Sequence, residues 1–300
     1  MALSAVYSGR HFTDPELERI RDLARSLPSR EAIARAVCSE FAWYKPDGGL
    51  KVMSCKVALL RMHRAGIVTL PPPQSAHRPA SRTPSRAARD LPVGPPLQGT
   101  RGDISRLTLD PVQGRADSRY WNDLVARFHY LGYFPLPGAQ LRYFVHGDGV
   151  LLGVLGFGSA AWKIAPRDHF IGWTAEQRRA RLHLIVNNAR FLLLPWVSIH
   201  CLASSVLGLA ARQLPGDWYH RFAYRPVLLE TFVERDRFAG TSYHAANWIH
   251  VGQTQGRGKL DRHKLYGKPV KNIYLYPLNR RFREILTTPL PVPSLTQHTE

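Results

Sequence analysis

The sequence is short of acids, of cysteines and of long apolar runs, and each shortage excludes something. Asp and Glu together number 22 against 41 Lys and Arg in 300 residues, a formal net charge of +19. A site of three carboxylates converging on two metal ions is hard to build from so few acids. Asp168, Glu230 and Asp261 also fall in no recognised spacing. The three cysteines, Cys38, Cys55 and Cys201, form neither a C-x-x-C pair nor a disulfide framework. They read as reduced thiols of a cytoplasmic protein. The histidines lack Cys or His partners at zinc-ligand spacing. The longest apolar stretches, near 150–157 and 191–197, are too short to span a bilayer. No signal-peptide core opens the chain, no basic amphipathic helix suits a membrane surface, and no internal repeat is visible. No membrane partner is expected.

What the chain has is surplus positive charge around a real core. Its hydrophobic fraction is 44%. An excess of cations this large favours a polyanionic partner, because neutralised phosphates release condensed counterions. DNA is the expected partner, and self-association is left open.

Residues 1–71 read as a helical, winged-helix-like module. Thr13 and Glu16 make a capping box before Leu17, Ile20, Leu23 and Leu27 at helical spacing. Pro28 ends that helix and Ser29 caps the next, on which Ile33, Val37 and Phe41 repeat. After a loop with Pro46 and two glycines, Ser54 is the candidate cap of a third helix from Cys55 to about Ala65, ended by Gly66. Ile67–Leu70 is predicted to be a short strand, the wing. Lys51, Lys56, Arg61 and Arg64 cluster on or beside the third helix and are the candidate DNA contacts. A plain helical subdomain with a basic face gives the same pattern.

Residues 72–102 are rich in Pro, Ala, Ser and Arg and read as a disordered linker. Residues 103–290 alternate strands and helices, and 291–300 form a tail. A helix is predicted over 119–131, a hairpin over 141–157 and a helix from Glu176 to about Ile185. Next come a strand over 190–194, a helix over 202–213, a strand over 227–233, a short helix over 241–248 and a strand over 249–254. The fold class is α+β: a helical module plus an acetyltransferase-like mixed α/β domain, to which this order of elements is similar. Trp196–Cys201 carries no glycine where an acetyl-CoA pyrophosphate would need one. Acetyl-CoA is therefore not the expected cofactor, and an acyltransferase is kept as an alternative.

Several segments carry a family resemblance. They are Tyr130-Leu131-Gly132, Gly138–Tyr143, Asn187–Leu192, Leu202-Ala203-Ser204, Glu230–Val233, Ala246-Asn247-Trp248 and Gly252–Arg257. On these the chain resembles the DruA family, whose members occur in anti-phage defence islands and mobile elements. The resemblance implies DNA processing, by strand cleavage or transfer of a transposase- or nuclease-like kind. It also implies a Cys where this chain has Ser242. A non-catalytic DNA-binding adaptor is the other alternative.

Tyr243 is the first catalytic candidate. Its hydroxyl could attack a DNA phosphate, serve as a general acid, or simply be buried and hydrogen-bonded. Ser242 and Asn247 accompany it. Glu230, in the apolar Val227–Phe232 run, must be paired if buried. It could be a general base, a ligand for Mg²⁺ with Asp168, or the ion-pair partner of an arginine such as Arg190. Asp168 could equally cap a turn. Arg190, Arg257, Lys259 and Arg262 are further candidate DNA contacts. From Arg257 to Arg283, cations interleave with Tyr266, Tyr274 and Tyr276, a pattern suited to a strand-tracking groove. If the charge acts as argued, log K for polynucleotide binding falls linearly with log salt, measurable by titration from low to physiological ionic strength. A salt-independent affinity would contradict it.

Overall fold

The computed structural model describes residues 5–8, 10–45, 48–72, 91, 93–136, 138–256, 267 and 269–289. The chain divides into two compact units, Met1–Pro79 with Phe222–Tyr224, and Ala80–Arg221 with Arg225–Glu300. Most of the 72–102 segment, the 291–300 tail and Arg257, Lys259 and Arg262 lie outside the described residues.

The first unit opens with a hairpin that the sequence pattern did not announce, β1 (Ala5–Tyr7) against β2 (Arg10–Phe12). Helix α1 (Asp14–Ser26) starts on the Thr13/Glu16 capping box, with the Thr13 N–H donating to the Glu16 carboxylate at 2.9 Å. Helix α2 (Arg30–Glu40) starts at Ser29, whose hydroxyl accepts the Ala32 N–H. Helix α3 (Val52–Arg64) begins earlier than expected: Lys51 is its N-cap and Ser54 lies inside it. Gly66, at φ +74°, comes just past its end in the left-handed conformation that a glycine there supplies. Phe12, Ile20, Ile33, Val37, Leu59 and Met62 are buried in a shared core.

The predicted wing strand is not formed. Ile67–Leu70 has no strand partner, and Val68 and Leu70 turn into the core. The backbone carbonyls of this stretch find side chains instead. Arg21 Nε donates to Ile67 O at 2.9 Å and Arg30 Nε to Pro71 O at 2.7 Å. Guanidinium donors from α1 and α2 thus take the place of a sheet partner, which local sequence cannot show.

The second unit is built on a seven-stranded mixed sheet in the order β10-β11-β9-β7-β6-β5-β4. In chain order these are β4 (Leu107–Pro111), β5 (Gln140–Gly147), β6 (Val150–Ser159), β7 (Ile185–Leu193), β9 (Leu228–Glu234), β10 (Ile249–Gln253) and β11 (Lys271–Pro277). The predicted hairpin is β5–β6. Every neighbouring pair is antiparallel except β7 and β9. A parallel pair needs a long crossover. Helix α7 (Leu202–Phe222) supplies it, buried along Val206, Ala210, Leu214 and Trp218. Before it, β8 (Val197–His200) pairs in parallel with β3 (Leu97–Thr100) as a separate ribbon. Helix α4 (Gly114–Phe128) lays Trp121, Leu124 and Val125 against Phe144, Val154 and Leu192 of the sheet. Short helices α5 (Ala165–Ile171), α6 (Ala175–Arg181), α8 (Thr241–Ala245) and α9 (Phe282–Thr287) complete the unit.

Two sequence expectations fail here for tertiary reasons. The helix expected up to Ile185 stops at Arg181, because Ile185 and Val186 pair with Leu228 and Leu229. The basic, tyrosine-bearing tail is not one open groove. Its Lys271–Pro277 part is β11, inserted between β9 and β10, with Ile273, Tyr274 and Leu275 buried. No described helix is long and apolar enough to cross a membrane.

One charge pair lies inside this sheet. Arg167 and Glu230 are both fully buried, with Arg167 Nη1 donating to Glu230 Oε2 at 2.7 Å. The Ala161 N–H donates to Glu230 Oε1 at 2.7 Å, and Arg167 also donates to Ala161 O and to the Asp168 carboxylate. Removing one partner leaves the other charge stranded. Arg167→Met is expected to cost about 3–5 kcal/mol in a urea titration, and Arg167→Met/Glu230→Leu considerably less. Equal losses in the two variants would contradict this pairing.

Candidate functional site

Strands β7 and β9 are paired over three positions only, Ile185–Leu228, Val186–Leu229 and Asn187–Glu230. Beyond them side chains replace the ladder. The Thr231 hydroxyl of β9 donates across to Asn188 O of β7 at 3.0 Å, while the Asn188 amide stays within β7, donating to Arg190 O at 3.2 Å. The strands then diverge around a cavity of about 500 Å³. Its walls carry Phe128, Phe191, Phe232 and Phe238, and among the described residues no Lys, Arg, Asp or Glu lines it.

Tyr243 sits at the inner end. The helix that carries it starts at Gly240, where φ is +76° and any Cβ would meet the Tyr274 hydroxyl. The Tyr243 hydroxyl donates to Asn188 Oδ1 at 2.9 Å and lies 3.5 Å from the Thr231 hydroxyl. Its ring is held edge-on by Trp248, with centroids 5.1 Å apart, and stacked by Tyr274 at 5.7 Å. Burial pushes the phenol up to about 12. Neither Asn188 nor Thr231 can take its proton. The hydroxyl is therefore a neutral donor here and is poorly prepared as a nucleophile. Ser242 lines the cavity beside it. Asn247 does not line it: exposed, at φ +60°, it makes the turn after α8, a conformation asparagine tolerates.

The charged candidates are placed elsewhere. Glu230 is paired with Arg167, not with Arg190, and its two oxygens are occupied by Arg167 and the Ala161 N–H. Burial pushes this carboxyl up, against the opposing pull of Arg167. Asp168 bonds Arg167 and Arg178. Among the described residues no group of three His, Cys, Asp or Glu could hold a metal ion, and the two acids read as Mg²⁺ ligands, Asp168 and Glu230, are both bonded to arginines. Arg190 is 4% exposed, donating to Ala189 O at 2.6 Å and covering the Phe134 ring at 4.3 Å. In the first unit, Lys56 is ion-paired with Glu31 and Lys51 is half-buried. Arg61 and Arg64 are exposed on α3 and form no ion pair among the described residues.

Sequence reasoning passed over Thr231, Phe238, Arg167 and His129. Arg167 stands beside Asp168, and only the acid drew attention. His129, read as a lone histidine, lines the cavity and accepts the Leu131 N–H through Nδ1 at 3.2 Å. Burial first, then Arg190 and Lys271, push its imidazole down to about 4. An unfolded chain's histidine titrates near ~6.5, so the unfolded state takes up the proton first as pH falls. Stability contributed by the neutral ring is present above about pH 6.5 and is lost on acidification towards about 4. Over that window the native chain is expected to lose on the order of 3 kcal/mol more than His129→Gln, read by urea denaturation at several pH values. Parallel curves would refute the assignment.

The chain was compared with known proteins. Solved structures similar to the chain include an acetyltransferase of the GNAT family from Streptococcus pneumoniae, at 11% identity over 58% of this chain and 100% of that one, with TM-score 0.37. The ribosomal-protein-S18-alanine N-acetyltransferase from Escherichia coli matches at 11% identity over 58% and 95%, with TM-score 0.34. A GNAT-family acetyltransferase from Bacillus cereus matches at 13% identity over 46% and 71%, with TM-score 0.28. At such identities and scores the likeness carries no argument about fold or activity. No curated protein matches the sequence. The family described as Druantia protein DruA matches residues 92–270, which run from β3 to the approach to β11 and include the diverging strands and Tyr243. By that match over more than half its length, the chain belongs to the DruA family.

Proposed function

We propose that this chain binds DNA and processes it at the cleft between β7 and β9. The observation that carries the reading is the Tyr243 hydroxyl, held by Asn188 at the end of an aromatic cavity in a chain of net charge +19. Charge of that size supports a polyanionic partner. Helices α2 and α3, with Arg61 and Arg64 exposed on the second of them, support a helix-turn-helix contact from the first unit. Within the cleft, a phenol kept protonated up to high pH suits proton donation to a departing oxygen.

Acyl transfer is the second reading, and one observation favours it. Past Asn187 and Glu230 the facing edges of β7 and β9 have no strand partner among the described residues, so an extended amide chain could pair there. The residues at the start of α7 do not fit an acetyl-CoA pyrophosphate. His200 and Cys201 stand there with their side chains, Cys201 at φ +60°, and no glycine clears a path to the helix N–H groups. No step is assigned to that cofactor.

End-labelled single- and double-stranded DNA, with and without Mg²⁺, run on a denaturing gel, tests the first reading. Tyr243→Phe is expected to bind DNA normally and to cut about 10²-fold more slowly or worse. No protein–DNA adduct should survive denaturation. A phosphotyrosyl adduct, or an unchanged rate in Tyr243→Phe, would remove the donor role.

A further inference from the structure

The cavity runs from a wet mouth to a dry floor. At its mouth Tyr130 is 36%, Leu131 39% and Phe238 45% exposed, while at its floor Asn188 is 4% and Thr231 2% exposed. Tyr130 and Phe238 meet edge to face with centroids 5.2 Å apart. His129 stacks on Tyr130 at 4.9 Å. The Arg237 guanidinium lies 4.9 Å from the Tyr130 centroid, and also 3.9 Å from Glu234. Exposed aromatics grouped at the entrance of a cavity, with a cation over one of them, mark a surface that takes a flat partner.

Arg190 supplies a second, independent observation. It is 96% buried, forms no ion pair with a carboxylate among the described residues, and its Nη2 has no hydrogen-bond partner. It lies close enough to His129 and Tyr130 to act on both. A buried cation without an anion is costly, and a ligand phosphate beside the mouth would offset that cost. The occupant must therefore stack on aromatics, carry negative charge and offer hydrogen-bonding edges to Asn188, Thr231 and Tyr243. A nucleotide of single-stranded DNA has all three properties. In a duplex the base faces are already stacked, and a peptide lacks the regular negative charge.

We propose that the Tyr130–Phe238 rim is a stacking platform for single-stranded DNA, and that one unstacked base enters the β7–β9 cavity. The platform rests on DNA being the partner of this cleft, and it specifies the form of DNA required. Each stacked base contributes through its π-face, so recognition by the rim is tolerant of sequence.

The test is fluorescence anisotropy of the full chain with an end-labelled mixed-sequence oligonucleotide, alone and as a duplex, at matched salt. The single strand should bind about tenfold more tightly or better. Tyr130→Ala and Phe238→Ala should each weaken single-strand binding about tenfold, with duplex affinity and melting curve unchanged, and Tyr130→Phe should retain it. Ala203→Phe, which fills the cavity from its wall and leaves the rim intact, should weaken the single strand as well. Equal affinity for both forms, unmoved by these substitutions, overturns the platform and leaves DNA binding standing. Association with neither form overturns both readings. Heat of acetyl-CoA binding that disappears in Tyr130→Ala would give the cavity another occupant and overturn the platform.

Discussion

A full charge pair with no exposure to solvent, Arg167 with Glu230, sits at the last rung where β7 and β9 still run together. Its cost in desolvation is met only because each of its atoms is answered. The carboxylate receives two donors, and the guanidinium reaches Ala161 O and Asp168 as well. The pair thereby ties β9 to α5 and to the chain leaving β6. One residue further along both strands the ladder is gone, and the Thr231 hydroxyl reaches across to the Asn188 carbonyl in its place. The cavity exists because the sheet is locked on one side of that point and open on the other.

The chemical consequence is a separation of charge from the reactive pocket. Glu230 is spent on structure, Asp168 is held by two arginines, and the polar groups inside the cavity are neutral at ordinary pH. Burial keeps Tyr243 protonated and His129 unprotonated, so both act as oriented dipoles. Arg190, without an ion-pair partner among the described residues, lies beside His129 and Tyr130, where an anionic ligand rather than a side chain would answer it. In the first unit, by contrast, much of the nominal charge is internally matched: Arg10 with Glu16, Arg19 with Glu40, Lys56 with Glu31. Each such pair is neutral, so the surplus charge of this unit falls on cations such as Arg61 and Arg64, which form no ion pair among the described residues.

Local chemistry was readable from the residues alone. Thr13 with Glu16, Ser29 and Gly66 delimit helices because caps act within a turn of where they stand. The β5–β6 hairpin was legible from alternation about a Gly-Asp-Gly turn. Tyr243 stood out as a chemical centre on its neighbours' pattern, and the structure places it in the cavity. Its role was left open, because the pKa of a phenol depends on who surrounds it.

The sequence by itself determined the helix starts, the cationic surplus, the alternation of strands and helices and the family. Tertiary structure decided the rest. Glu230 had to have a partner, but burial alone could not say whether Arg190 or Arg167 answered it, since the choice depends on which side of β9 each arginine reaches. Lys271–Pro277 reads as a basic tail until β10 and β9 close on it, and Ile67–Leu70 reads as a strand until Arg21 takes the Ile67 carbonyl and Arg30 that of Pro71 just beyond. Caps and periodicities are settled by neighbours a few residues away. Pairing, burial and the divergence of β7 from β9 are settled by residues far apart in the chain, and only the folded backbone brings those together.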